Sequence, residues 1–179
     1  MNDDFSSDDR LYIDYIDLNS FIDFFIINEI TSNVDGYRLS TYLHKDRNEK
    51  LKMGPIWDLN IGYNRQGRVP TIDWMVNYNK YVETDPWMVP FWWPRLLQDP
   101  IFQHQLKIRW ELLRSLELSN FSVLNLVQNT ADYLIENGTV DRNYKRWNGI
   151  DMDYPSVIDD LKIHLEQRLD WMDLQINAF

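Results

Sequence analysis

Asn33-Val-Asp35-Gly-Tyr37-Arg-Leu-Ser40-Thr-Tyr42-Leu43, followed by Lys50-Leu-Lys-Met-Gly54-Pro-Ile-Trp57-Asp58-Leu-Asn60-Ile-Gly62, is the stretch that decides how this chain is read. Apolar and polar residues alternate over Arg38–Leu43 and again over Lys50–Ile56, and the charged run Lys45-Asp-Arg-Asn-Glu49 separates the two. Alternation on both sides of a charged turn predicts a pair of antiparallel strands. A hairpin folds its ends together, so Asp35 and Asp58, 58 − 35 = 23 positions apart, are expected to converge. Val34 and Trp57 each precede one of the acids and read as apolar anchors. Two carboxylates fixed at the mouth of a cleft serve metal-ion or acid–base chemistry. The plainer reading is structural: Asp35-Gly36 is an ordinary turn dipeptide, and Asp58 caps a turn after a buried tryptophan.

Working outward, Leu18, Phe21, Ile22, Phe25 and Ile26 recur at three-and-four spacing and predict a well-buried helix from Asp17 to about Ile30. Asp99-Pro100 is an N-cap acid followed by a proline at the first helical position, and it opens a helix running to about Leu116. A further helix is expected from Ser119 or Phe121 to Asn137, stopped by Gly138. Another runs from Pro155 to about Asn177 with Val157, Leu161, Leu165, Leu169 and Met172 at helical spacing, and its Arg168, Trp171 and Met172 read as core plus a solvated face. Asn64–Trp87 lacks a period and reads as a long ordered loop. Trp87, Phe91, Trp92 and Trp93, set between prolines, are expected to form a core plug with one exposed ring rather than a sugar-stacking platform. The predicted fold is α+β and mostly α, a single domain over residues 1–179 with a small hairpin ahead of a helical bundle.

The bulk numbers bound the function. With 179 residues and 44% hydrophobic content, one substantial core is available. A formal charge of −10 gives no electrostatic drive toward phosphate backbones, so nucleic acid is not an expected partner. Cysteine is absent, which removes disulfides, thiolate metal sites and thiol nucleophiles without fixing a compartment. The longest apolar run, Phe21–Ile30, is too short and too polar to span a bilayer. His44, His104 and His164 have no ligand spacing. The six glycines form neither a P-loop nor a dinucleotide fingerprint, and no G-x-S-x-G elbow is present. Residues 1–9 are acidic and read as a frayed start.

Further phrases carry a resemblance. Asn28-Glu29, Asn33-x-Asp35, Tyr37-Arg-Leu-Ser40-Thr-Tyr42 and Met53-Gly-Pro-Ile-Trp57-Asp58-Leu-Asn60 look like the CotH kinase family, the spore-coat protein H group of atypical, protein-kinase-like proteins. Arg95-Leu-Leu-x-Asp99-Pro-x-Phe102, Arg109-Trp110 and Arg168-Leu-x-Trp171-Met-Asp173 resemble its helical half. The resemblance implies a kinase-like C-lobe that phosphorylates protein Ser/Thr with ATP and Mg²⁺ or Mn²⁺. It implies Asp35 as the acid that orients or deprotonates the substrate hydroxyl and Asp58 as the metal ligand, with Asn60 and Ser40 as accessory ligands.

Three departures accompany it. Typical members carry Asn where this chain has Ser40, and Asp where it has Asn60; each change subtracts charge or reach from a metal site. The N-terminal lobe with the nucleotide clamp is absent from the chain, so the 179 residues alone are expected to transfer phosphate poorly. Two rival readings stand beside the kinase. One is a non-catalytic surface or coat module that binds protein or glycan through Trp87–Trp93. The other is a two-carboxylate glycosidase built on Asp35 and Asp58.

Overall fold

Asp17 sets the first element of the core. In the computed structural model, which describes residues 11–63, 67–147 and 153–179, a single turn α1 (Tyr12–Tyr15) leads into α2 (Leu18–Ile30). The Asp17 carboxylate accepts the Ser20 amide at 3.0 Å, satisfying one of the donors that a helix start leaves open. Phe21, Ile22, Phe24, Phe25, Ile26 and Ile30 are all buried, so α2 is enclosed on most sides rather than amphipathic. It is the central helix. The expectation for residues 1–9 lies outside the described residues, as does the beginning of the Asn64–Trp87 stretch.

The expected hairpin exists but is short. β1 (Leu43–His44) and β2 (Lys52–Met53) pair antiparallel with Leu43 opposite Met53 and His44 opposite Lys52. Residues 38–42 do not extend the strand, because the Asp35 carbonyl accepts the amides of Arg38, Leu39 and Ser40 at 3.2, 2.9 and 2.7 Å. Those bonds wrap the chain around a 3₁₀ turn, Val34–Tyr37, and remove the donors that a longer ladder would use. On the other side Pro55 has no N–H and ends the ladder after the bond from Gly54 to the Tyr42 carbonyl. Leu51 donates to Tyr15 and accepts from Asp17 at 2.8 Å each, which docks the hairpin on the α1–α2 junction.

The remaining helices follow the sequence pattern with two short additions. α3 (Trp92–Leu96) inserts Trp93 into the core, where it stacks on Phe24 at 5.9 Å and meets the edge of Tyr37 at 5.1 Å. α4 (Pro100–Ser115) is capped by Asp99, and Phe102, Leu106 and Trp110 form its buried stripe. α5 (Asn120–Glu136) is capped by Ser119 and lies along α7 (Tyr154–Asn177), which also packs on α2 and α4. Gly138 takes φ +62° and ends α5, as expected, but it also opens α6 (Thr139–Arg146), which the pattern did not predict. The architecture is α+β and mostly α.

One buried pair ties the layers together and puts Arg168 on the core side of its helix. Arg168, on α7, is 0% exposed and donates to the Glu29 carboxylate at 2.6 Å and the Glu29 carbonyl at 2.7 Å. Its remaining nitrogen donates to the carbonyls of Thr71 and Asp73 at 2.6 and 2.7 Å. Glu29 in turn accepts the Tyr37 hydroxyl at 2.8 Å and the amides of Met75 and Val76 at 2.7 and 3.0 Å. Those two amides begin the 3₁₀ helix Met75–Lys80, the one helical piece among the described residues of the stretch expected to be all loop. Burial pushes the Glu29 carboxyl above its ordinary value, against the downward pull of Arg168 and the other donors, and pushes Arg168 below its own. Removing one partner leaves the other charge buried and unmatched. Glu29→Gln and Arg168→Met are each expected to cost about 3–5 kcal/mol in urea unfolding. A loss under about 1 kcal/mol would mean that the pair does not hold these elements together.

Candidate functional site

Asp35 sits in the 3₁₀ turn immediately after α2, and buried neighbours fix that turn. Val34 and Tyr37 are buried on either side, and the Tyr37 hydroxyl reaches Glu29. The Asn33 amide donates to the Asn28 carbonyl at 2.9 Å, and the Asn33 side chain donates to Asn28 Oδ1 at 3.0 Å. Asn28 also donates to the Phe24 carbonyl at 2.8 Å, so the asparagine ladder continues α2 into the turn. A Cβ on Gly36 would lie 1.9 Å from Asn28 Oδ1. The glycine of Asp35-Gly36 is therefore required by close packing, which the turn-dipeptide reading did not foresee.

The Asp35 side chain is largely enclosed. Its Oδ1 accepts Arg38 Nε and Arg68 Nη1, both at 2.9 Å. No described residue hydrogen-bonds its Oδ2. Arg38 extends the network: its Nη1 donates to Asp85 Oδ2 and to the Trp87 carbonyl, each at 2.7 Å. Asp85 also accepts the Tyr78 hydroxyl at 2.6 Å and the Trp87 amide at 2.8 Å. The Tyr78 bond, the Trp87 amide and the Arg38 charge together hold the Asp85 carboxyl below its ordinary value. Both guanidiniums lie over the Tyr78 ring, at 4.7 Å for Arg38 and 5.8 Å for Arg68.

Asp58 is exposed and takes φ +60°, a left-handed conformation uncommon outside glycine though more accessible to Asp and Asn. Its Oδ2 accepts the Ser40 hydroxyl at 2.9 Å. The Ser40 amide meanwhile donates to the Asp35 carbonyl at 2.7 Å. One residue thus touches both acidic segments, with its backbone on one and its side chain on the other. Past Asp58 the chain returns to the end of α2, where the Tyr63 amide donates to the Thr31 carbonyl and a Cβ on Gly62 would lie 2.9 Å from that oxygen. Asn60 is exposed and bonds none of the other three candidates.

Two expectations need correction. Trp57 is 46% exposed and rests on the equally open Tyr42 ring at 5.4 Å, so it is not the buried anchor of Asp58. Ser40, Gly62 and Tyr63 hold that loop instead. In the aromatic segment Trp93 is the expected plug, but two rings are open rather than one: Trp87 is 60% and Phe91 74% exposed. Among the histidines, His44 and His104 are exposed. His164 lies 3.1 Å from the Ser32 hydroxyl, and burial lowers its pKa.

Among the described residues no group of three or more His, Cys, Asp or Glu is poised to hold a metal. The oxygen donors shown together are the Ser40 hydroxyl and the Asp58 carboxylate, with the Asn60 amide two positions after Asp58 in sequence. That set fits a hard cation such as Mg²⁺, which takes one or two protein carboxylates and completes its shell with phosphate and water. It fits neither zinc nor a softer metal. Sequence reasoning gave no role to Arg38, Arg68, Tyr78 or Asp85. Arg68 and Asp85 lie in an aperiodic stretch where neither spacing nor composition marks a partner.

A rigid turn carrying one acid and a returning loop carrying another are joined through Ser40. A family model described as CotH kinase protein matches residues 2–172 of the chain, and the chain belongs to that family. No curated protein and no solved structure gave a match. No described helix is long and apolar enough to cross a membrane.

The packing at Gly36 is testable without any substrate. Gly36→Ala is expected to destabilise the protein by about 1–3 kcal/mol through overpacking. In an Asn28→Ala background the same change should cost less, since the obstructing atom is gone. Urea unfolding of the four proteins measures this, and strictly additive losses would contradict the contact.

Proposed function

We propose that this chain is the acid- and metal-bearing lobe of an atypical protein kinase that, in its full-length protein, transfers the terminal phosphoryl group of ATP to a Ser or Thr hydroxyl of a protein substrate. The observation that carries this reading is the double engagement of Ser40, with its amide on the Asp35 carbonyl and its hydroxyl on the Asp58 carboxylate. Phosphoryl transfer asks a protein for positioning and for charge neutralisation more than for covalent chemistry. Asp35 orients the acceptor hydroxyl through Oδ2 and takes its proton, while Oδ1 is held by the two arginines. A loose transition state requires little base strength from that carboxylate, so two cations beside it are tolerable. Asp58, helped by Ser40 and Asn60, holds Mg²⁺ or Mn²⁺; when bound, the ion neutralises phosphate charge. The left-handed backbone of Asp58 supports the assignment, because such conformations cluster at sites where geometry is imposed for function.

A second reading has its own support. The open Trp87 and Phe91 rings suit a non-catalytic module binding protein or glycan. The glycosidase alternative gains nothing: a general acid must present its carboxyl across a sugar-sized groove, and Asp35 is enclosed by arginines.

Transfer from radiolabelled ATP to a protein acceptor by the full-length protein tests the first reading. Asp35→Asn and Asp58→Asn are each expected to lower the rate at least about 10²-fold. Robust transfer by either variant would overturn the assignment. Calorimetry with Mn²⁺ offers a second measurement: Asp58→Ala should weaken binding, and equal affinities would remove Asp58 from the metal site.

A further inference from the structure

Arg68 is bonded in an unusual way for a cation in an acidic protein. With 28 acidic against 18 basic residues, an arginine in this chain has many carboxylates to choose from. Arg109 and Arg114 each take an aspartate of their own, Asp23 and Asp173, with two nitrogens. Arg38 commits Nε and Nη1 to Asp35, Asp85 and the Trp87 carbonyl, and its side chain is 6% exposed. Arg68 instead places a single nitrogen on an oxygen that Arg38 already occupies. Its Nε and Nη2 meet no hydrogen-bond acceptor among the described residues, and its side chain is 20% exposed. Its guanidinium also lies above the Tyr78 ring, a contact that limits where the group can point.

A second cation on one carboxylate oxygen adds little to holding Asp35, which Arg38 and the turn already hold. It does place a positive charge, with donors to spare, beside the acid assigned to the acceptor hydroxyl. The planar guanidinium suits two oxygens of one phosphate group, a geometry that lysine does not offer. Cations set where charge develops are among the larger contributions to phosphoryl transfer.

We propose that Arg68 is a phosphoryl-binding catalytic residue: Nη1 stays on Asp35 while the free nitrogens bind oxygens of the group being transferred. This rests on the phosphotransfer reading and deepens it. The acceptor hydroxyl oxygen forms a bond to the γ-phosphorus as the bond from that phosphorus to the β,γ-bridging oxygen breaks. ADP departs with that electron pair, and the hydroxyl proton passes to Asp35 Oδ2. Arg68 neutralises charge on the non-bridging oxygens during the passage. Arg38, with no comparable free face, is a positioning residue.

Two measurements on wild type, Arg68→Ala and Arg68→Lys test this. In steady-state transfer by the full-length protein, Arg68→Ala should lower kcat about 10²-fold or more while KM for the protein acceptor stays within about twofold. Arg68→Lys, which keeps the charge and is the safer variant for folding, should recover part of that loss. In the second, inorganic pyrophosphate is titrated into the 179-residue chain and followed by phosphorus NMR, with no nucleotide present. Arg68→Ala should bind it about tenfold more weakly, and Arg68→Lys should fall between.

Unchanged kcat and unchanged pyrophosphate affinity in Arg68→Ala would overturn the proposal and leave the kinase reading standing. A fall in kcat with undiminished pyrophosphate binding would also overturn it, since Arg68 would then act only through Asp35. Absence of transfer in the wild type, together with pyrophosphate binding that depends on Arg68, would sink the kinase reading and keep the anion site.

Discussion

The fold depends on a charge taken fully out of water. Glu29 and Arg168 are buried together, and desolvating two ions costs more than their attraction returns unless every lone pair and proton finds a partner. Here they do. The carboxylate takes four donors, and the guanidinium reaches the carbonyls of Glu29, Thr71 and Asp73 besides the carboxylate. That completeness selects one arrangement of α2, α7 and the segment 71–76, because any slip of one element leaves an ion unmatched. The apolar core around Phe25, Trp93, Phe102 and Leu169 supplies cohesion without that discrimination.

The acidic site inherits its rigidity from this arrangement. Glu29 holds Tyr37, Tyr37 closes the turn that carries Asp35, and Asn28, one residue before Glu29, packs against Gly36. The loop of Asp58 is held more lightly, by a serine hydroxyl and by the close approach of Gly62 to the end of α2. One acid is thus built into the core and the other sits on an exposed, conformationally demanding loop. That difference suits the roles proposed for them, a hydroxyl-orienting group that must stay fixed and a cation ligand that must admit phosphate and water.

What the sequence made legible follows from the range of each interaction. Asp17, Asp99, Ser119 and Gly138 announced helix ends because capping is a contact between residues two or three apart. The hairpin was legible in kind but not in length, since the Asp35 carbonyl captures three amides that alternation alone assigns to a strand. α6 was missed because it has no buried residue, so no apolar period marks it. Asp35 and Asp58 were nameable through a family phrase. Arg68, which bonds Asp35, and Asp85, which bonds Arg38, were not, being 33 positions from Asp35 and 47 from Arg38 in a stretch without period. Arg168 was visible as a residue and invisible as a buried ion, because helical spacing put it beside a stripe and gave no hint of what lay opposite.

The two members of the buried pair are separated by 139 positions, nearly the whole described chain. During synthesis α2 and the turn after it emerge long before α7, and until α7 docks Glu29 lacks its Arg168 partner. Closing so long a loop is slow in entropic terms, and the reward arrives only on completion. The acidic turn therefore becomes rigid only once α7 has docked. A product that stops short of α7 would retain both aspartates in sequence while failing to hold them in place. Built this way, the turn waits on a helix made long after it.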